Sequence, residues 1–331
     1  MGVRRRAWDS LGMLNISKNV IEQWDLEIFG LQPKDKVVLL ETRSGPKCLK
    51  VLQKSIQDVH SLFLILEHLA SRGFKSVPRF IRTRYGKPYA KTDDNKFYCI
   101  SDWIDGSPPD WENQIDIFLV TEKLAKLHLA SHDFTVSQEE RITFVNWQQR
   151  FQWMTQKMVG INLEISQENY VKKFFRDMIE RALLSCRLLK DSGYRVIKEK
   201  AEQKKGFCHG AFNEHHIIMG NRGKVFVTGF DEWCRDIRLT DLAKFILLVA
   251  NKNQWSPQIV QSIIESYDRV YHLYPAEWEI VCAYLRFPFN YWEVLKELAK
   301  REAEINEAIR MFEMCWKKEA LKEQCLMHLG C

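Results

Sequence analysis

Apolar residues recur along this chain with two periods, and the change from one to the other divides it. In SIQDVHSLFLILEHLASRGF, residues 55–74, Val59, Phe63, Leu66 and Leu69, with Leu62 adjoining, predict an amphipathic helix stopped at Gly73. Upstream, ISKNVIEQWDL predicts a short helix, and DKVVLLETRSGPKCLKVLQ predicts two strands joined at Ser44-Gly45-Pro46. Downstream, residues 79–104 predict further strands around turns at Tyr85-Gly86 and Asp93-Asp94-Asn95. From Pro108 and Pro109 onward the helical period dominates, with helices predicted at 115–131, 171–189, 257–271, 276–287 and 302–327. Residues 206–236 are the exception: a loop, a tight turn at Asn221-Arg222-Gly223, and the strand KVFVTGF. The pattern predicts an α+β chain, with a β-rich mixed lobe over 1–102 and a mainly helical lobe over 103–331. A hinge is expected near residue 103, with a cleft between the lobes.

A chain of 331 residues that is 46% hydrophobic can bury a substantial core without staples. Its 49 basic and 43 acidic residues are spread out, and the resulting charge of +6 reads as a solvated surface, not a nucleic-acid footprint. Nine scattered cysteines without a CxxC pair argue against a zinc ribbon or a compact disulfide framework. Ordinary thiols are expected, although Cys315, Cys325 and Cys331 crowd together and could cross-link in an oxidising assembly. The basic start MGVRRRAWDSLGML is followed by no long apolar stretch, so no secretory signal is expected, and Arg6 breaks the myristoylation pattern. FILLVA is too short to cross a bilayer, so no membrane span is expected. Aromatic residues are dense in NWQQRFQW and FPFNYW, where most rings should be core and some could serve a partner surface.

Candidate chemistry concentrates in GFCHGAFNEHHIIMG, residues 206–220, and in the VTGFDEW that follows. His209, His215 and His216, with Asp231 or Glu214, could in principle ligate a transition metal. No HExxH or HxH pattern accompanies them, and adjacent histidines on a loop often diverge, so no metal site is expected. Phosphoryl transfer asks for a different set: a strand lysine held by a helix glutamate, a loop aspartate, an asparagine five residues on, and a second aspartate for Mg²⁺. Lys50 and Glu67 stand in place for such an ion pair. CHGAFNEHHII has the outline His-Gly-Asp-x-x-x-x-Asn, with Ala211 at the aspartate and His216 at the asparagine. Gly229 stands where the second aspartate should be.

The order and spacing of six strings make the resemblance specific: CLK at 48–50, LEHLASRGF at 66–74, YCISDWIDG at 98–106, EKLAKLHLAS at 122–131, CHGAFNEHHII at 208–218 and GFDEWCRDIRLTDLAKFI at 229–246. Over residues 35–250 the chain resembles the CotS family of spore-coat proteins, which are similar to aminoglycoside phosphotransferases and choline kinases. The resemblance implies a protein-kinase-like, two-lobed phosphotransferase fold. It also implies aspartate, asparagine and aspartate at 211, 216 and 229, and all three are replaced here. Alanine accepts no proton, glycine has no side chain, and imidazole is a poor ligand for Mg²⁺. Lys50, Glu67 and Asp231 remain as candidate cofactor-binding residues, although no glycine-rich phosphate loop is visible near 28–46. His209 becomes a structural part of the loop, and Asp241 a buried acid bracing that loop through backbone N–H groups. The expectation is an inactive pseudokinase made in the mother-cell cytoplasm. It would be built into the spore coat as a structural or assembly component, with other coat proteins as partners and no cofactor. Two alternatives stand beside it: an active ATP- and Mg²⁺-dependent small-molecule phosphotransferase working through Asp231, Glu214 or His216, and a histidine-rich metal-binding protein.

Overall fold

The computed structural model describes residues 16, 18–34, 37–52, 54–92, 96–135, 144–165, 169–300 and 305–331. The turn expected at 93–95 and the readings of residues 1–15 fall outside them. The chain forms two compact units. One comprises Met1–Pro108, Phe134–Arg141 and His215–Asp231, and the other Pro109–Asp133, Ile142–Glu214 and Glu232–Cys331.

The first unit begins with α1 (Lys18–Ile21), shorter than its pattern suggested, and then builds a five-stranded sheet. Its strands are β1 (Ile28–Lys34), β2 (Val37–Thr42), β3 (Lys47–Leu52), β4 (Ala90–Lys91) and β5 (Phe97–Asp102), in the order β1-β2-β3-β5-β4. Every pairing is antiparallel. β1 carries Gly30 and Pro33 and so lacks a strand signature; it is tolerated because it forms an edge, where a missing N–H leaves no ladder bond unmade. The β2–β3 hairpin turns at Gly45, whose φ is +93°. Period-two alternation sends Leu40, Leu49 and Ile100 into a core with Val20, Ile21 and Trp24, all at most 2% exposed. Lys50 follows Leu49 and therefore points to the opposite face of β3.

Helix α2 (Ile56–Ser71) starts at a capping box, where the Ser55 hydroxyl accepts from Asp58 N and the Asp58 carboxylate accepts from Ser55 N. Val59, Leu62, Phe63, Leu66 and Leu69 form its buried stripe, and Gly73 at φ +85° ends it. A two-stranded sheet, β6 (Ile217–Met219) with β7 (Val225–Val227), belongs to this unit despite its late position. Its reason is backbone pairing: Ser107 and Met219 exchange hydrogen bonds, and Val227 N donates to Ser76 O at 2.8 Å. Gly106 permits that approach, because a Cβ there would lie 2.3 Å from Met219 O.

The second unit is helical: α3 (Gln114–Ala130), α4 (Trp147–Ile165), α5 (Asn169–Asp191), α6 (Tyr194–Gln203), α7 (Leu239–Lys252), α8 (Pro257–Val270), α9 (Pro275–Arg286), α10 (Phe289–Lys300) and α11 (Ile305–His328). Trp147, Phe151, Tyr284, Phe287 and Phe289 pack ring against ring in its core, with centroids 4.4–6.4 Å apart. Cys331 is disulfide-bonded to Cys282 on α9, a correction to the expectation of ordinary thiols throughout. The two stand 49 positions apart with no motif between them, so only packing of the end of α11 against α9 could bring them together.

Candidate functional site

Strand β3 presents Lys50, and the short 3₁₀ turn Phe230–Glu232 after β7 presents Asp231. The ammonium of Lys50 donates to the Asp231 carboxylate, with the two side chains 33% and 20% exposed. Lys54 Nζ donates to the Asp231 carbonyl at 2.8 Å, so two lysines converge on one residue. The ion pair expected between Lys50 and Glu67 is not formed. Glu67 instead takes a two-pronged hydrogen bond from Arg79, Nε at 2.9 Å and Nη2 at 2.7 Å. A planar guanidinium matches both carboxylate oxygens at once, which a lone ammonium cannot do. Arg79 lies in the segment after α2 and carries no motif signal, so sequence reasoning missed it.

Gly229 and His216 are packed into each other. A Cβ at position 229 would lie 2.0 Å from His216 Nδ1, and the backbone there holds φ at +69°. The clash with the ring admits glycine and excludes an aspartate side chain, while the left-handed backbone is the conformation glycine adopts most readily. His216 is fixed in turn by its carbonyl, which accepts from Thr228 N at 2.8 Å and from Thr228 Oγ1 at 3.3 Å. The imidazole therefore fills the place where the resemblance puts a metal-binding carboxylate. With these residues a Mg²⁺ site of hard oxygen ligands does not fit at 216 and 229.

In the second unit the loop at 208–211 hangs on Asp241, in the first turn of α7 and fully buried. Its carboxylate accepts from His209 N at 2.6 Å and Gly210 N at 3.0 Å. His128 Nε2 lies 3.2 Å from it, and His128 Nδ1 lies 2.7 Å from the Tyr267 hydroxyl. An ionised carboxylate only accepts, so Nε2 carries the proton and Nδ1 accepts from the tyrosine. Burial lowers the His128 pKa, with Asp241 acting the other way, and leaves the ring neutral. For Asp241, burial opposes ionisation, but the His128 hydrogen bond and nearby positive groups outweigh it and hold the pKa at about 2. Lys244 Nζ fixes the other side of the loop through Gly210 O at 2.9 Å. Gly210 itself has φ +82°, and a Cβ would meet Glu232 O at 1.9 Å. Ala211 is half-buried and its N–H points to His209 Nδ1 at 3.3 Å. His128, in the KLHLAS string, is a further residue of the loop brace that the spacing alone did not single out.

Among the described residues, three ligand-type groups come together only at His128, Cys208 and Asp241, all buried. Their atoms are already engaged: Asp241 by the loop, and the Cys208 thiol by Ile237 O at 3.1 Å. Burial pushes that thiol pKa well up, so it stays protonated. In this arrangement the three groups brace the loop.

Spore coat protein S of Bacillus subtilis (strain 168) is 23% identical over 263 residues, covering 76% of this chain and 74% of that protein. An aminoglycoside phosphotransferase from Alicyclobacillus acidocaldarius shares the fold, with a TM-score of 0.83 at 17% identity over 95% of this chain and 96% of that one. A spectinomycin phosphotransferase in its AMP-bound complex superposes with a TM-score of 0.59 at 14% identity, over 96% and 98% of the two chains. The fold is thus the α+β, protein-kinase-like phosphotransferase fold, with an antiparallel sheet and a helical bulk. The model of the family described as "Spore coat putative kinase YutH" matches residues 43–329, and the chain belongs to that family.

Proposed function

We propose that this chain is a catalytically inactive, kinase-like component of the spore coat, with a structural or assembly role among other coat proteins. The observation that carries the reading is the packing of His216 against Gly229. One imidazole occupies the ground of a metal-binding carboxylate, and the loop base is absent at Ala211. Loss of a general base alone costs about 10²–10⁴ in rate, and loss of charge neutralisation at the transferring phosphate costs more. The coat context rests on the family and on the likeness to Spore coat protein S. The reading includes synthesis in the mother-cell cytoplasm, deposition in the coat and no cofactor.

The test is a thermal-shift titration with ATP and Mg²⁺ together and singly. A ligand at 100 times its dissociation constant stabilises by about 2.7 kcal/mol. No Mg²⁺-dependent shift is expected at millimolar ATP, and a clear shift requiring both would overturn the reading.

The second reading, an active ATP-dependent small-molecule phosphotransferase, is favoured by one observation: Lys50 remains paired with Asp231. Asp231, Glu214 or His216 would then have to carry the metal or the proton. Transfer of label from γ-labelled ATP to a small hydroxyl or amine acceptor, lost in Asp231→Asn, would establish it.

A further inference from the structure

We propose that a basic-rimmed cavity in the first unit, lined by neither Lys50 nor Asp231, docks an acidic segment of a partner protein. The cavity, of about 630 Å³, is bounded by the segment after α2, the residues after β5 and the β6–β7 turn. Trp103 and Phe226 are half-buried in its wall, while Lys75, Arg222 and Lys224 stand exposed around it. Of its own acids, Asp102 is drawn to Lys47, from which it accepts at 2.6 Å, and Asp105 accepts from the Trp103 indole at 2.7 Å on the wall itself. Arg79, also on the wall, is held by Glu67. Among the described residues, none of Lys75, Arg222 and Lys224 has a carboxylate within ion-pair distance. Three uncommitted cations thus border an aromatic wall.

A second observation is independent of charge. Arg222 sits at φ 61°, ψ 36°, followed by Gly223 at φ +68°. This is the left-handed region that glycine and asparagine occupy readily and arginine only at a cost. An arginine kept there, at the rim of a cavity, is backbone strain placed at a site. The occupant follows from the chemistry. The volume is that of sites for ligands far larger than one inorganic anion. The cations come from two separate stretches of chain on an open rim, which suits an extended segment with carboxylates flanking an apolar side chain. That side chain would lie against Trp103 and Phe226. The docking does not depend on whether the Lys50–Asp231 site is active.

The experiment uses the full chain and a fluorescein-labelled peptide in which a leucine is flanked by two glutamates on each side, read by anisotropy. Saturable, salt-sensitive binding is expected, and it should be absent for the same peptide with glutamines. Lys75→Glu and Lys224→Glu should each weaken binding about ten-fold or more. Where circular dichroism shows that either fails to fold, Lys75→Gln and Lys224→Gln replace them, with an expected loss of about three-fold. Arg222→Asn should weaken binding while leaving Tm unchanged or raised, because asparagine fits the left-handed turn. Absence of saturable binding, equal binding of the glutamine peptide, or indifference to the Lys75 and Lys224 substitutions would overturn the proposal. Displacement by inorganic phosphate as effective as by unlabelled peptide would also overturn it, by assigning the cavity to small anions.

Discussion

The imidazole of His216 stands where any side chain at position 229 would have to begin, 2.0 Å from an ideal Cβ. The two replacements are therefore one structural event, and their energetics should be coupled. Gly229→Ala is expected to cost about 1–2 kcal/mol for the left-handed backbone and about 1–3 kcal/mol more for overpacking. In a His216→Ala background only the backbone part should remain. Urea unfolding of the four proteins checks this, and a coupling energy below about 0.5 kcal/mol would show that the ring yields without resistance.

Lys50 should couple to Asp231 and not to Glu67. Lys50→Met leaves Asp231 without its cation, at a cost of about 1 kcal/mol because the pair is partly screened by solvent. Adding Asp231→Asn should recover part of that loss. Adding Glu67→Gln should be additive within about 0.5 kcal/mol, since Arg79 is its partner. Double-mutant cycles by chemical denaturation read both.

Two buried aspartates should give stability opposite dependences on pH. Asp241 is held at about 2 against an ordinary 3.8, so the stability it confers is present above pH 4 and fades as pH falls toward 2. The window corresponds to about 2 kcal/mol. Asp236 is pushed by burial up to about 6, with Trp147 Nε1 and Ile237 N donating to its carboxyl in partial opposition. A raised carboxyl pKa binds its proton in the folded state first, so stability should fall as pH rises from 4 to 6. Asp241→Asn should flatten the acid limb and Asp236→Asn the 4–6 limb. Unfolding free energies measured at half-unit pH steps decide whether each slope belongs to its residue.

Reduction should loosen the second unit. The Cys282–Cys331 bond closes a loop of 49 positions, for which about 2–4 kcal/mol is expected. Cys331→Ser should lower Tm and remove its sensitivity to dithiothreitol. Thiol titration of the denatured, unreduced protein should find seven free thiols; nine would mean that the bridge is absent.

Much of the framework was legible along the chain. The stripe Val59, Leu62, Phe63, Leu66 and Leu69 and its stop at Gly73 became α2. The Ser44-Gly45-Pro46 turn became the β2–β3 hairpin. The strands expected over 79–104 shrank to Ala90–Lys91 and Phe97–Asp102. β1 was invisible because Pro33 and Gly30 read as breakers, and α4, α6 and α10 were not among the helices predicted from the pattern. Asp241 could be placed near a helix start from LTDLAKF, but its hydrogen bonds to His209 and Gly210 cross 32 and 31 positions.

The sequence by itself determined elements with a strong stripe or turn signal, such as α2 and the β2–β3 hairpin, because burial on one face imposes periods of 3.6 and 2 that can be counted over a few turns. It also determined which chemical groups are missing, since Ala211, His216 and Gly229 are read directly. Only the tertiary structure decided partners. Lys50 meets Asp231 across 181 positions, Glu67 finds Arg79 twelve residues away, and His216 fills the space beside Gly229. Ion pairs and side-chain packing act over a few ångströms in space, and no local period along a chain encodes which distant residue arrives there.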